Sequence, residues 1–176
     1  MPRLFVAVWP PDEVLDLIAA LPRPEVEGLR WTTRDQWHVT LRFFGSVELE
    51  PAAVALRGVG VSAAATTALL GPATGRFGKR VLHVPVDGLE TVATAVVRAT
   101  KKVGKPPEPR PFAGHLTLAR ARDRRRGVDL RPLVGVPVAA EWPVSELCLV
   151  ESHLSPKGAN YEVVETVALG EARTMG

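Results

Sequence analysis

The sequence predicts an α+β fold of two pseudo-symmetric lobes that pack as one unit, with antiparallel strands. Three observations predict it. A shift of 77 residues aligns residues 3–45 with residues 80–122 without a gap, the self-similarity expected of a duplicated unit. Both stretches read strand, helix, turn-rich connector, strand. The remaining segments are short strands broken by turns, which favour antiparallel pairing over a doubly wound parallel sheet. Nothing in the chain resembles a flexible linker, so residues 1–176 are expected to form a single bilobal domain.

The first strand is Arg3-Leu-Phe-Val-Ala-Val-Trp9. Its apolar run is too short for a signal peptide, and Pro10-Pro11-Asp12-Glu13 breaks it at once. Those residues start a helix over about residues 11–21, with Val14, Leu15, Leu17, Ile18 and Leu21 as its apolar stripe. A connector over residues 22–35 leads to a strand at His38. A helix over about residues 49–57, a weak strand near Val61 and a Gly/Pro loop over residues 71–78 come next. The pattern then returns. Arg80-Val-Leu-His-Val-Pro-Val86 matches the first strand, and a helix over about residues 88–103 carries Leu89, Val92, Ala93, Val96, Val97 and Thr100. A connector over residues 104–111 leads to the strand at His115. Strands over residues 136–142 and 144–152 follow, and Ser155-Pro-Lys-Gly-Ala-Asn160 turns the chain into a last strand over residues 161–169.

Hydrophobic residues make up 46% of the chain and charged residues 23%, the balance of a globular protein. No stretch approaches the roughly 20 apolar residues of a membrane helix, so a cytoplasmic protein with no membrane partner is expected. Cys148 is the only cysteine, which excludes an internal disulfide and any multi-cysteine metal centre. The histidines at 38, 83, 115 and 153 lack the spacing of zinc motifs, so no metal is expected. Residues 110–131 hold seven arginines against Asp123 and Asp129, whereas the whole chain carries only +3. A local patch of this kind suits a phosphate-bearing partner or a solvated loop.

The chemistry concentrates in His38-Val-Thr40-Leu and His115-Leu-Thr117-Leu, which coincide under the 77-residue shift. Alternation along a strand puts His38 with Thr40, and His115 with Thr117, on one face each. Paired across a pseudo-twofold axis, these residues offer a phosphodiester two imidazoles and two hydroxyls. One neutral imidazole activates water, one protonated imidazole supplies the leaving oxygen with a proton, and the hydroxyls bond the nonbridging oxygens. Such a cycle predicts a bell-shaped pH profile with limbs at about 6 to 8.

In these motifs the sequence resembles the 2H phosphoesterase superfamily, specifically the LigT-like RNA 2′,3′-cyclic phosphodiesterases once described as 2′-5′ RNA ligases. The resemblance extends to Arg3-Leu-Phe-Val-Ala, Leu29-Arg-Trp31, His38-Val-Thr-Leu-Arg-Phe-Phe-Gly45, Arg80-Val-Leu82, Phe112-Ala-Gly-His-Leu-Thr-Leu-Ala-Arg120, and Glu146 to Leu154 with Gly158 and Tyr161. It implies a bilobal fold of antiparallel sheets and outer helices around a central groove, a cofactor-free reaction giving a 2′-phosphomonoester, and RNA ends or nucleotides with a 2′,3′-cyclic phosphate as partners. It also implies that His38, Thr40, His115 and Thr117 are catalytic, with His115 as base and His38 as acid. Phe43 and Arg120 would help hold the nucleotide. They are repeat partners, 77 residues apart, and strict alternation turns both away from the histidines, so a bulge or strand end must redirect them. The family usually has Pro before the second histidine, where this chain has Gly114, so packing by neighbours must position His115.

His83, in a strand without a following Thr, is expected to be structural, His153 a surface residue, and Trp31 and Trp37 packing residues. Arg42 shares a strand face with His38, so it is a weaker phosphate candidate. A monomer is expected. Reverse ligation to a 2′,5′ linkage, a nonenzymatic RNA-binding module and a 2′-5′ oligoadenylate phosphodiesterase stand as alternative functions.

Overall fold

Strand β1, Arg3–Val8, buries side chains on both of its faces. In the computed structural model, which describes residues 1–171, it is followed by α1 (Asp12–Ala19), β2 (Leu29–Trp31), a 3₁₀ turn (Arg34–Gln36), β3 (Val39–Ser46) and α2 (Leu49–Ser62). Next come β4 (Thr66–Leu70), β5 (Gly75–Phe77), β6 (Val81–Asp87), α3 (Glu90–Thr100) and β7 (His115–Ala121). A second 3₁₀ turn (Arg131–Leu133) precedes β8 (Ala140–Val144), β9 (Glu146–Ser155) and β10 (Gly158–Ala168).

The result is a curled antiparallel sheet in the order β10-β9-β1-β3-β7-β6-β4-β8, with β2 added to β7 and β5 to β6, and three helices. Elements β6, α3 and β7 repeat β1, α1 and β3 at the offset read from the sequence. The two halves of the sheet meet at one pair of residues, Val39 opposite Leu116. Beyond that contact β3 turns to β1 and β7 turns to β6, so the strands carrying the two motifs splay apart from a common point.

Apolar periodicity explains the helices. Helix α1 buries Val14, Leu15 and Ile18, α2 buries Ala52, Ala53, Leu56 and Val59, and α3 buries Val92, Ala93 and Val96. They pack on Leu4, Val6 and Val8 from one face of β1, together with Phe44, Leu82 and Leu116. Each large side chain among these contributes about 1.5–3 kcal/mol by leaving water. The other face of β1 places Phe5 and Ala7 in a smaller cluster with Cys148 and Val150, edged by Trp9 and Tyr161. Phe5 and Tyr161 of that second cluster line the groove.

Several boundaries differ from the sequence reading. Helix α2 continues to Ser62, and Val61, expected in a strand, is exposed on its last turn. A run of small and β-branched residues at 58–62 reads equally as strand, and Leu56 and Val59 on the buried face decide for helix. Strand β2 lies inside the expected connector, and β5 lies inside the expected Gly/Pro loop. Strand β8 starts only at Ala140, because Gly135 takes a positive φ and Pro137 makes an isolated bridge to Ala73.

Both motif strands are bulged. In β3, Leu4 faces Gly45 while Phe5 faces Phe43, and Val6 faces Arg42 while Ala7 faces Thr40, which leaves Phe44 and Leu41 as extra residues. In β7, Leu82 faces Ala119 while His83 faces Thr117, which leaves Leu118 extra. An extra residue shifts the alternation by one. Leu41 and Arg42 are consequently buried in succession while Phe43 is exposed, and Leu118 and Ala119 are buried in succession before exposed Arg120.

Candidate active site

His38 and His115 are fixed in the same manner, each by the carbonyl two residues before it. The His38 Nδ1 lies 2.8 Å from the Gln36 carbonyl, and the His115 Nδ1 lies 2.8 Å from the Ala113 carbonyl. A carbonyl can only accept, so each Nδ1 carries the hydrogen and each Nε2 of the neutral ring keeps its lone pair. The Gln36 carbonyl is itself held in a 3₁₀ turn closed by a capping box with Thr33. At the second motif Gly114 lets the chain pass close to β6. A Cβ there would overlap the Val86 carbonyl oxygen, so packing admits only glycine in this conformation.

The two imidazoles, Thr40, Thr117, Phe43 and Arg120 all line one groove of about 390 Å³. All six residues expected from the sequence are thus together, and the bulges at Leu41 and Leu118 bring Phe43 and Arg120 to the histidine face. In the first motif the Thr40 hydroxyl lies 3.0 Å from the His38 Nε2 and donates to it when the ring is neutral. Aromatic rings surround His38: Phe5, Trp9 and Tyr161 lie 5.1, 5.0 and 5.0 Å away, centroid to centroid. Phe77 lies edge-on to His115 at 4.8 Å, with the His83 ring 5.6 Å away.

These surroundings lower both pKa values. Burial, reinforced by the charges of Arg120 and His115, brings His38 to about 4 against the bond from Gln36. His115 is lowered by burial and by Arg120. Both rings of the unliganded groove are therefore neutral at pH 7, whereas the expected cycle starts with one of them protonated. An anion in the groove supplies the missing negative charge and must raise the acidic histidine. Inorganic phosphate is expected to move the His38 titration, followed by NMR of its ring, upward from about 4, so that the ring binds a proton at higher pH than in the free protein. An unmoved titration would remove His38 as the acid.

Other residues fall outside the expected roles. Arg42 does not face the groove: the bulge at Leu41 sends it into the core, where it donates to the carbonyls of Phe43, Val103 and Lys105 at 2.8–2.9 Å. His83 is buried against Phe77, 4.1 Å between ring centroids, with its own pKa lowered to about 4 by burial and by His115. Trp37 is core and donates to Thr32, while Trp31 forms part of the groove wall. His153 is a surface residue. It joins Glu151 and Glu162 in a cluster whose ligand atoms lie within 4.8 Å of one another. That cluster is the one group among the described residues with metal-ligand geometry, and it turns away from the groove, which Ser152 and Leu154 line instead. Arg124 alone of residues 122–126 reaches the groove.

Sequence reasoning assigned no role to Arg3, Arg30 or Tyr161, which also line the groove. Arg30 sits on β2, within the expected connector, in the Leu29-Arg-Trp31 segment of the family resemblance. No Asp or Glu is among the lining residues within the described chain, against four arginines.

A family model described as the 2′-5′ RNA ligase superfamily matches residues 10–156. The chain belongs to that superfamily. This LigT-like 2H phosphoesterase is similar in structure to TT0787 of Thermus thermophilus, with 28% identity over 97% of this chain and 100% of that one, and a TM-score of 0.76. It is also similar to E. coli LigT complexed with 3′-AMP, with 25% identity over 96% and 98% of the two chains and a TM-score of 0.73. The NADP+ complex of E. coli LigT matches at 25% identity over 97% and 98%, again with a TM-score of 0.73. No curated protein sequence matches the chain. The LigT-like phosphoesterase has no helix among its described residues long and apolar enough to cross a membrane.

Proposed function

We propose that this 2H phosphoesterase hydrolyses 2′,3′-cyclic phosphates of RNA ends or nucleotides to 2′-phosphomonoesters, without a metal ion. The observation that carries this reading is the matched pair of imidazoles, each anchored at Nδ1, with Thr40 and Thr117 lining the same groove. His115 takes a proton from water through Nε2 as the water oxygen attacks phosphorus. The bond from phosphorus to O3′ breaks, and protonated His38 gives its Nε2 proton to that oxygen. The product carries phosphate on O2′ and a free 3′-hydroxyl, and proton exchange with solvent resets the two rings.

Thr40 and Thr117 donate to the nonbridging oxygens, and Arg120 balances their charge. Protonation of His38 has a further effect here. An Nε2 that bears a hydrogen no longer accepts from Thr40, so the hydroxyl becomes free for phosphate in the same step that creates the acid. Phe43 offers an exposed ring to the base, flanked by Arg3 at 5.3 Å and Lys105 at 5.9 Å. The 3′-AMP complex of E. coli LigT supports a nucleotide as the ligand. A 5′-hydroxyl attacking phosphorus in place of water would open the same ring and leave a 2′,5′ linkage, which is ligation, and in water hydrolysis dominates.

The purified protein incubated with nucleoside 2′,3′-cyclic phosphates in EDTA is expected to give 2′-phosphates, identified by phosphorus NMR. Binding of RNA with no turnover would favour an RNA-binding module instead. Activity lost to EDTA and restored by a metal would refute the two-imidazole mechanism. Thr40→Val and Thr117→Val keep shape and remove one hydroxyl each. Each is expected to lower kcat by roughly 10- to 1000-fold, the cost of losing one transition-state donor, with an unchanged melting temperature. Wild-type kcat in both would leave the hydroxyls structural.

A further inference from the structure

Arg30 and Arg120 stand directly opposite one another on the adjacent strands β2 and β7, and both line the groove. Like charges so placed weaken a strand pair, and the third arginine of this corner, Arg124, adds to the imbalance. Enclosure by the groove walls lowers the pKa of Arg120, Tyr161 opposes this, and the charge of Arg124 lowers it further. No lining carboxylate within the described chain offsets these groups. Arg30 is also held in place, because its guanidinium donates to the Lys157 carbonyl at the turn between β9 and β10. Gly158 makes the room for it, since a Cβ there would lie 2.8 Å from the Arg30 Nη2. A cyclic phosphate between the histidines carries one negative charge, which the imidazolium of His38 and Arg120 already satisfy. The remaining cations call for a second anion.

Resting on the reaction proposed for His38 and His115, we propose that Arg30 and Arg124, with Arg120 shared between the two sites, bind a second phosphate, the one attached to O5′ of the nucleotide that bears the cyclic phosphate. The substrate class is then an RNA end or a 5′-phosphorylated nucleotide, in preference to a cyclic nucleoside phosphate alone. Both sources present the same chemistry.

Three substrates with one base separate the possibilities: the nucleoside 2′,3′-cyclic phosphate, its 5′-phosphorylated form, and a dinucleotide with a terminal cyclic phosphate. The 5′-phosphorylated form and the dinucleotide are expected to exceed the plain nucleoside by about tenfold or more in kcat/KM, the worth of one charge-assisted phosphate contact. The dinucleotide exceeding the nucleoside while the 5′-phosphorylated form does not would place the gain in the second base and overturn the phosphate site. Arg124→Gln is expected to bring the ratios toward one and to flatten the salt dependence of kcat/KM for the dinucleotide. Equal kcat/KM for all three substrates, or unchanged ratios in both Arg124→Gln and Arg30→Gln, would overturn the second site and leave the reaction standing. No turnover of any substrate would overturn both.

Discussion

His38→Ala is expected to lower hydrolysis of a nucleoside 2′,3′-cyclic phosphate by about 10²- to 10⁴-fold, the usual worth of general acid assistance, and to lower hydrolysis of a nitrophenyl phosphodiester far less. The ribose oxygen departs poorly as an alkoxide and needs a proton, the role proposed for His38. A nitrophenolate departs unaided. His115→Ala is expected to be impaired on both substrates, because water needs activation in either case. Both rings are anchored alike, each with Nδ1 on a carbonyl, so this contrast is what separates acid from base. Selective recovery of His115→Ala on the nitrophenyl substrate would reverse the assignment.

The second large effect lies away from the groove. Arg42→Ala is expected to cost about 3 kcal/mol of stability, roughly 6–12 °C in melting temperature for a chain of this size. The guanidinium reaches the carbonyls of Val103 and Lys105 just beyond α3 and that of Phe43 in its own strand, and stacks 5.0 Å from the Phe44 ring. Backbone acceptors near a helix C-terminus lack partners and favour a cation. Alanine would leave several of them buried and unbonded. A thermal melt equal to wild type would show that water satisfies these carbonyls instead.

The gathering of His38, Thr40, His115 and Thr117 in one groove is legible in the sequence because they recur at one offset and because that offset also aligns the strands and helices around them. The positions of Phe43 and Arg120 are legible only as a demand: a straight strand turns them toward the core, and the bulges at Leu41 and Leu118 that satisfy the demand leave no trace in composition. The same bulge takes Arg42, two residues beyond Thr40, out of the groove. Its face depends on how many of the residues after Thr40 are paired, which the sequence does not reveal. The second cationic corner escapes a linear reading because its members come from β2, β7 and the segment beyond, and only the pairing of Arg30 with Arg120 unites them. The aromatic wall around His38 has a similar origin, since Tyr161 arrives from the final hairpin.

The bulges also divide each motif strand into a stretch that tolerates a change of length and one that does not. Thr117 and Arg120 are an odd number of steps apart yet share a face, because Leu118 absorbs one step. A chain lacking Leu118 would make that distance even, and simple pleating would still deliver the guanidinium to the groove, at the expense of one buried side chain and some local twist. Leu41 stands in the same relation to Phe43. Between His115 and Thr117, or His38 and Thr40, the distance is already even and nothing is spare. Loss of Leu116 or Val39 would therefore send imidazole and hydroxyl to opposite sides of the sheet, although every functional group remained in the protein. Parity is thus a constraint separate from residue identity: exchanging Leu116 for another apolar residue of similar volume is a small change, and omitting it dismantles the site.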